Sequence, residues 1–163
     1  MRTRAVNASV LVASLAVLAV LLGTTVSTHH SFAMYDQKKV VTMTGVVKQF
    51  VPQANHAEIH FMLLAPDHKS LAKSPEGKYV EWGIEMAGTA QLERQGISPK
   101  TFGPGTVFSA HLNPLRDGSN FGARVGALAK CPMDAATNKP KLPEPGKHCD
   151  SVQGHTLIGG TTF

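Results

Sequence analysis

The chain has 163 residues, enough for one domain with a modest core. With 42% hydrophobic and 17% charged residues it reads as globular rather than disordered, and its 15 Gly and 10 Pro favour short strands and turns over a helical bundle. The formal charge is +5, and setting aside Arg2 and Arg4 leaves about +3, too weak and scattered to argue for nucleic acid.

Arg2 and Arg4 precede an apolar run, Val10–Leu22, followed by the small residues Gly23, Thr24, Thr25 and Ser27. This is the layout of a secretory signal, so residues 1–27 are expected to be removed on export to the periplasm or beyond. A permanent anchor needs roughly twenty apolar residues, and this run is shorter, so membrane contact is expected only transiently during export. Thr25-x-Ser27 fits the small-x-small cleavage rule best; Val26-x-Thr28 and Leu21-x-Gly23 are the alternatives. No cysteine follows the run, which excludes a lipoprotein of the usual form.

Residues 28–38 form an N-terminal arm and 39–163 a β-rich domain. Lys39–Val51 is rich in β-branched residues, and Gly45 at mid-length predicts a bulge or a sharp bend, as when a strand curls around a small barrel. After the Pro52–Asn55 turn, His56–Leu64 is a second strand with Ala57, Ile59, Phe61 and Leu63 on one face. Ala65–Lys78 is a polar loop, and Tyr79–Met86 a third strand with Val80, Trp82, Ile84 and Met86 on one side and Glu81, Gly83 and Glu85 on the other. Thr89–Gln95 is a short helix, with Thr89 as its expected cap and Gly96 as its stop. Thr106–Asn113 is a fourth strand, and Asp117-Gly118 reverses the chain into a fifth, Phe121–Ala129. His155–Ile158 adds a short sixth strand. Three strands, one helix between strands 3 and 4, then two or three strands is the order of a mainly β, OB-like barrel.

Cys131 and Cys149 are the only cysteines, and an oxidising compartment would join them. The intervening loop, with Pro132, Pro140, Pro143 and Pro145, would fold poorly alone; closing it constrains the unfolded chain by roughly 3 kcal/mol. A thiolate metal site with His148 is the alternative, but it lacks a second Cys-x-x-Cys half.

Several segments come in a distinctive order: His29-His30-Ser31-Phe32-Ala33-Met34-Tyr35-Asp36, Thr44-Gly45-x-Val47 with Phe50, Glu81-Trp82-x-x-Glu85, Leu92-x-Arg94-x-Gly96, and Pro114-x-Arg116-Asp117-Gly118. In this the chain resembles a group of small exported bacterial proteins, the domain-of-unknown-function family six-one-five-two. The resemblance covers most of Thr28–Ala129 and implies an OB-like periplasmic barrel with no established activity; it marks Trp82, Glu85, Arg116 and Asp117 as motif residues of unknown role. The chain departs from the pattern at Ala54-Asn55-His56, where the family usually has an aromatic followed by Asn-Pro-His, and in its Cys131–Cys149 loop.

Two constellations have the donors of a metal site. A cut after Ser27 leaves Thr28-His29-His30, whose amine, amides and third-position imidazole can wrap Cu(II) or Ni(II). A cut after Thr28 makes His29 terminal, the requirement for a copper oxidoreductase with a histidine brace, and Met34 adds a soft donor for Cu(I). The bland alternative is a frayed polar terminus. Second, His56-x-Glu58-x-His60 on a strand projects two imidazoles and a carboxylate from one face, the donor types of a Zn(II) or Fe(II) site, although an exposed strand face is polar by default. If the arm folds back, His29 or His30 would join His56. Glu85, Arg116 and Asp117 read first as an ion pair and a turn residue. No hydrolase elbow, phosphate loop, dinucleotide fingerprint or haem-attachment motif is present.

The expectation from these residues is an exported periplasmic or secreted module that binds rather than catalyses. It would take copper or zinc through its N-terminal histidines, or serve an envelope partner without metal; no nucleic-acid partner is expected. An envelope-docking role predicts an exposed apolar patch or an open sheet edge.

Overall fold

A computed structural model describes residues 32–163. Its strands are β1 (Val41–Val51), β2 (Glu58–Leu63), β3 (Glu81–Glu85), β4 (Val107–Pro114), β5 (Phe121–Lys130) and β6 (Thr156–Ile158), and the one α-helix among the described residues is α1 (Thr89–Arg94), between β3 and β4. Short 3-10 turns cover Phe32–Met34 and Cys149–Ser151. No helix of the described residues is long and apolar enough to cross a membrane.

β1 is the pivot of the sheet. Its first half pairs antiparallel with β4 (Val41↔Leu112 to Val46↔Val107), its second half with β2 (Gly45↔Leu63 to Val51↔Glu58). β2 continues antiparallel to β3, and β4 to β5. A parallel pairing of β3 with β5, Gly83↔Phe121 to Glu85↔Ala123, closes the five strands into a barrel, and β6 adds to β5 outside the closure. This is the mainly β, OB-like architecture that the element order predicts, with one short helix where it is expected.

Gly45 is where β1 passes from one partner to the other. A Cβ there would collide with the Phe61 ring and lie 2.6 Å from the Met62 carbonyl oxygen, so only a residue without a side chain fits beside these neighbours. Gly45 thus marks a close approach of the Phe61 ring, and the irregularity in the strand lies further on, between Val47 and Gln49.

Alternation along β2 and β3 puts Ala57, Ile59, Phe61 and Ile84 into the interior, each 1% exposed or less. Phe108 meets Phe61 and Phe102 edge-on, with ring centroids 5.3 and 5.7 Å apart, the favoured arrangement of aromatic quadrupoles. Trp82 packs at the edge of this core, half-buried. A second apolar cluster, around Leu64, Val107 and Ala129, includes Cys131 and Cys149. These two cysteines form the expected disulfide, with Cα atoms 4.8 Å apart.

Two local expectations are corrected. Thr89 does not cap α1: the cap is Gly88, without a side-chain bond, and the Thr89 hydroxyl instead donates to the Gln53 carbonyl at 2.8 Å. That bond ties the helix to the β1–β2 turn, a long-range contact that outcompetes the local one. The stop is as expected, with Gly96 in the left-handed region at φ 78°. β3 begins at Glu81 rather than Tyr79, because the Val80 amide donates to Ala72 and Lys73 bridges to Tyr79, drawing those residues into the preceding loop.

Gly45→Ala is expected to lower stability by about 1–3 kcal/mol through overpacking against Phe61. The measurement is the urea midpoint, which should fall with little change in slope.

Candidate site at the N-terminal arm

The described part of the arm, from Phe32 on, lies along the β4–β5 turn and is sewn to it by backbone bonds. The Asp36 amide donates to the Pro114 carbonyl at 2.8 Å, Tyr35 bridges to Leu115, and the Arg116 amide donates to the Met34 carbonyl at 3.0 Å. The Arg116 side chain adds a bond from Nε to the Ala33 carbonyl at 3.1 Å. Asp117 is the turn residue it resembles. Its Oδ1 accepts the Ser119 amide at 2.8 Å, and bonds from Ser119 hold its carboxyl below the usual range.

This placement carries Tyr35 across to β3. Its side chain is 1% exposed, and its hydroxyl donates to Glu85 Oε2 at 2.9 Å. Burial, then the bond to Glu85 and the charges of Glu85 and Glu58, push the phenol pKa up, so Tyr35 stays a donor. The other carboxylate oxygen, Oε1, lies 3.1 Å from His56 Nδ1. Glu85 is 20% exposed and His56 49%, so the carboxylate is largely inside and the imidazole half outside. Glu85 and Arg116 thus do not pair with each other; both hold the arm.

A cleft of about 330 Å³ opens beside this node, lined by Phe32, His56, Glu85, Met86, Gln91 and Arg124 among others. It lies at the small end of the range for ligand pockets. Arg124 closes one wall, its Nη2 donating to Gln95 Oε1 at 2.9 Å, and burial lowers its pKa.

The three residues His56, Glu58 and His60 do not converge. β2 begins at Glu58, and His56, ahead of it, turns to Glu85. His60 Nε2 lies 2.8 Å from Glu58 Oε2 and its Nδ1 3.7 Å from Glu81 Oε1, while Lys48 pairs with Glu81 at 2.6 Å. The outer face of β2 and β3 is therefore a ladder of polar pairs. Among the described residues no three His, Cys, Asp or Glu side chains are grouped closely enough to hold a metal ion. His29 and His30 lie outside the described residues. Sequence reasoning missed Tyr35 as the partner of Glu85, although both stand in segments that carry the family resemblance.

Tyr35→Phe is expected to cost about 1–2 kcal/mol, because it strips a donor from a largely buried carboxylate. Since the phenol is the bound form and its pKa is raised from 10.0, this contribution is complete below pH 10 and is lost as pH rises beyond it. Ultraviolet titration of the phenolates should show one tyrosine ionising only together with unfolding, and Tyr35→Phe should remove that late step.

The family described as a family of unknown function, DUF6152, matches residues 16–124, about two thirds of the chain. Neither a curated relative nor a solved structure matches the chain. The match takes in the arm, all of β1 to β4 and the start of β5, hence Tyr35, His56, Glu85 and Arg116, and stops short of the disulfide-closed loop. A chain in which the matched stretch supplies the arm, its anchors and the closed part of the barrel belongs to the DUF6152 family.

Proposed function

We propose that the protein is an exported, non-enzymatic binding module that holds a transition metal, copper or zinc. His29 and His30 are its ligands at the N-terminus, and His56 is, separately, the imidazole on the barrel domain best prepared for a ligand. The observation that carries this is the relay Tyr35–Glu85–His56. A metal-binding imidazole commonly gives its second ring nitrogen to a carboxylate, which sets the tautomer and raises the basicity of the ligating nitrogen. His56 is placed for that arrangement: Nδ1 lies 3.1 Å from Glu85 Oε1, Glu85 is held by Tyr35, and the ring is half exposed, so that Nε2 is the nitrogen for a ligand. Export is supported by the leader pattern of Arg2, Arg4 and Val10–Leu22, and the Cys131–Cys149 disulfide is compatible with an oxidising compartment.

A docking role without metal is favoured by one different observation. Phe32 and Met34 are 58% and 49% exposed on the same 3-10 turn, an apolar pair that a partner protein would cover.

The deciding experiment is intact mass of the exported, untagged protein before and after one equivalent of Cu(II). Retained copper is expected, lost in His29→Ala with His30→Ala, and weakened about 10- to 100-fold by Glu85→Gln, which removes the charged support of His56. Copper uptake unchanged in the double variant would sink the metal role, and no uptake by the wild type would leave the docking role. The same spectrum reads the cleavage site, and Thr28 retained at the N-terminus would remove a copper oxidoreductase built on a terminal His29.

A further inference from the structure

Thr44 on β1 and Ser109 on β4 are cross-strand partners, 3% and 0% exposed beneath the disulfide-closed loop. Their hydroxyl oxygens are 2.7 Å apart. Ser109 Oγ accepts the amide of Cys149 at 2.9 Å, and Thr44 Oγ1 lies 2.8 Å from Nδ1 of His148, so two consecutive residues at the end of the loop dock on one pair of hydroxyls. A second histidine fastens the same loop from outside. His68, 8% exposed and in the left-handed region at φ 53°, donates from Nδ1 to the Pro143 carbonyl at 3.2 Å. A third, His111, is the cross-strand partner of Thr42 and bonds its hydroxyl at 2.7 Å.

Counting protons gives the relay a direction. With His148 neutral and Nδ1 accepting, Thr44 donates to His148, Ser109 donates to Thr44, and the Cys149 amide donates to Ser109. Every proton has an acceptor. With His148 protonated, Nδ1–H must donate to Thr44; Thr44 and Ser109 then have two hydroxyl protons for the one bond between them, and one of the two is left without an acceptor among the described bonds. Ser109 is fully buried, so water does not repair the loss.

We propose that the Ser109–Thr44–His148 relay is an acid-sensitive latch, and that proton uptake by His148 releases residues 132–148 from β1 and β4. The titratable groups around His148 are Asp150 on its own turn, His68 from the β2–β3 loop and His111 on β4. Burial lowers the pKa of His148 from 6.5; Asp150 opposes this, and the two other imidazoles add to it. Because the docked state binds the proton more weakly, docking is fully supported above pH 6.5 and weakens as pH falls below it. The disulfide keeps both ends of the loop tied, so release is local and the barrel stays closed.

The test is hydrogen–deuterium exchange of the disulfide-intact protein between about pH 7.5 and pH 5, corrected for the intrinsic exchange rate. Opening of 132–148 should grow by up to about tenfold per pH unit below 6.5, the slope for one proton, while β1–β5 amides keep their protection. His148→Gln should flatten that dependence. Protection that ignores pH, barrel amides that open together with the loop, or an unchanged dependence in the variant would each overturn the latch. If His148→Gln fails to fold, NMR titration of the wild-type His148 ring decides instead: its midpoint must coincide with loop opening, and a loop that opens while the ring is still neutral refutes the mechanism.

Discussion

Closure of the barrel rests on a short parallel pairing between β3 and β5, from Gly83↔Phe121 to Glu85↔Ala123. Parallel strands cannot be joined by a tight turn, so the chain between them must travel through α1 and β4 before it returns. Gly83 makes the return sterically feasible: the Phe121 ring occupies the place a Cβ would take. Once the seam forms, the end of β3 faces the start of β5, and the β4–β5 turn comes up beside the arm. The placement of Glu85 and of everything that binds it follows from that seam.

Around Glu85 the structure spends a buried phenol and a half-exposed imidazole on one carboxylate. A carboxylate this far inside needs its oxygens satisfied; Tyr35 donates to Oε2, and the His56 ring stands 3.1 Å from Oε1. The bond also fixes the arm, since Tyr35 lies between backbone contacts to Pro114 and Arg116 on one flank and Glu85 on the other. The carboxylate that holds Tyr35 is thus also the one that His56 faces.

The opposite side of the barrel is built on different physics. The loop between Cys131 and Cys149 is too polar and Pro-rich to bury much of its own surface, and it is attached through the disulfide and through polar side chains. Buried hydroxyls in series are stable only while every proton has a place. That condition makes the attachment of this loop sensitive to the charge of a single imidazole, in contrast to the packing of apolar side chains around Phe108.

Much of the fold is legible in local pattern. Period-two alternation identifies the inward faces of β2 and β3, Gly96 ends α1 because only the left-handed region lets the helix turn off there, and two cysteines in a chain that has no others have one pairing available. The glycine in β1 announces a close approach of a neighbouring side chain, because strand interiors otherwise exclude it. The partners of the polar side chains are not legible in this way. Tyr35 meets Glu85 across 50 positions and Thr44 meets His148 across 104, distances at which no spacing rule applies. His56 abandons Glu58 and His60, its neighbours in sequence, because β2 starts two residues after it and the carboxylate that can reach its ring stands on β3. Sequence alone determined which residues face inward, where the chain turns and which covalent bridge forms, since those depend on neighbours. Only the closed barrel decided which polar groups meet, because strand order and register, not local preference, set the distances between them.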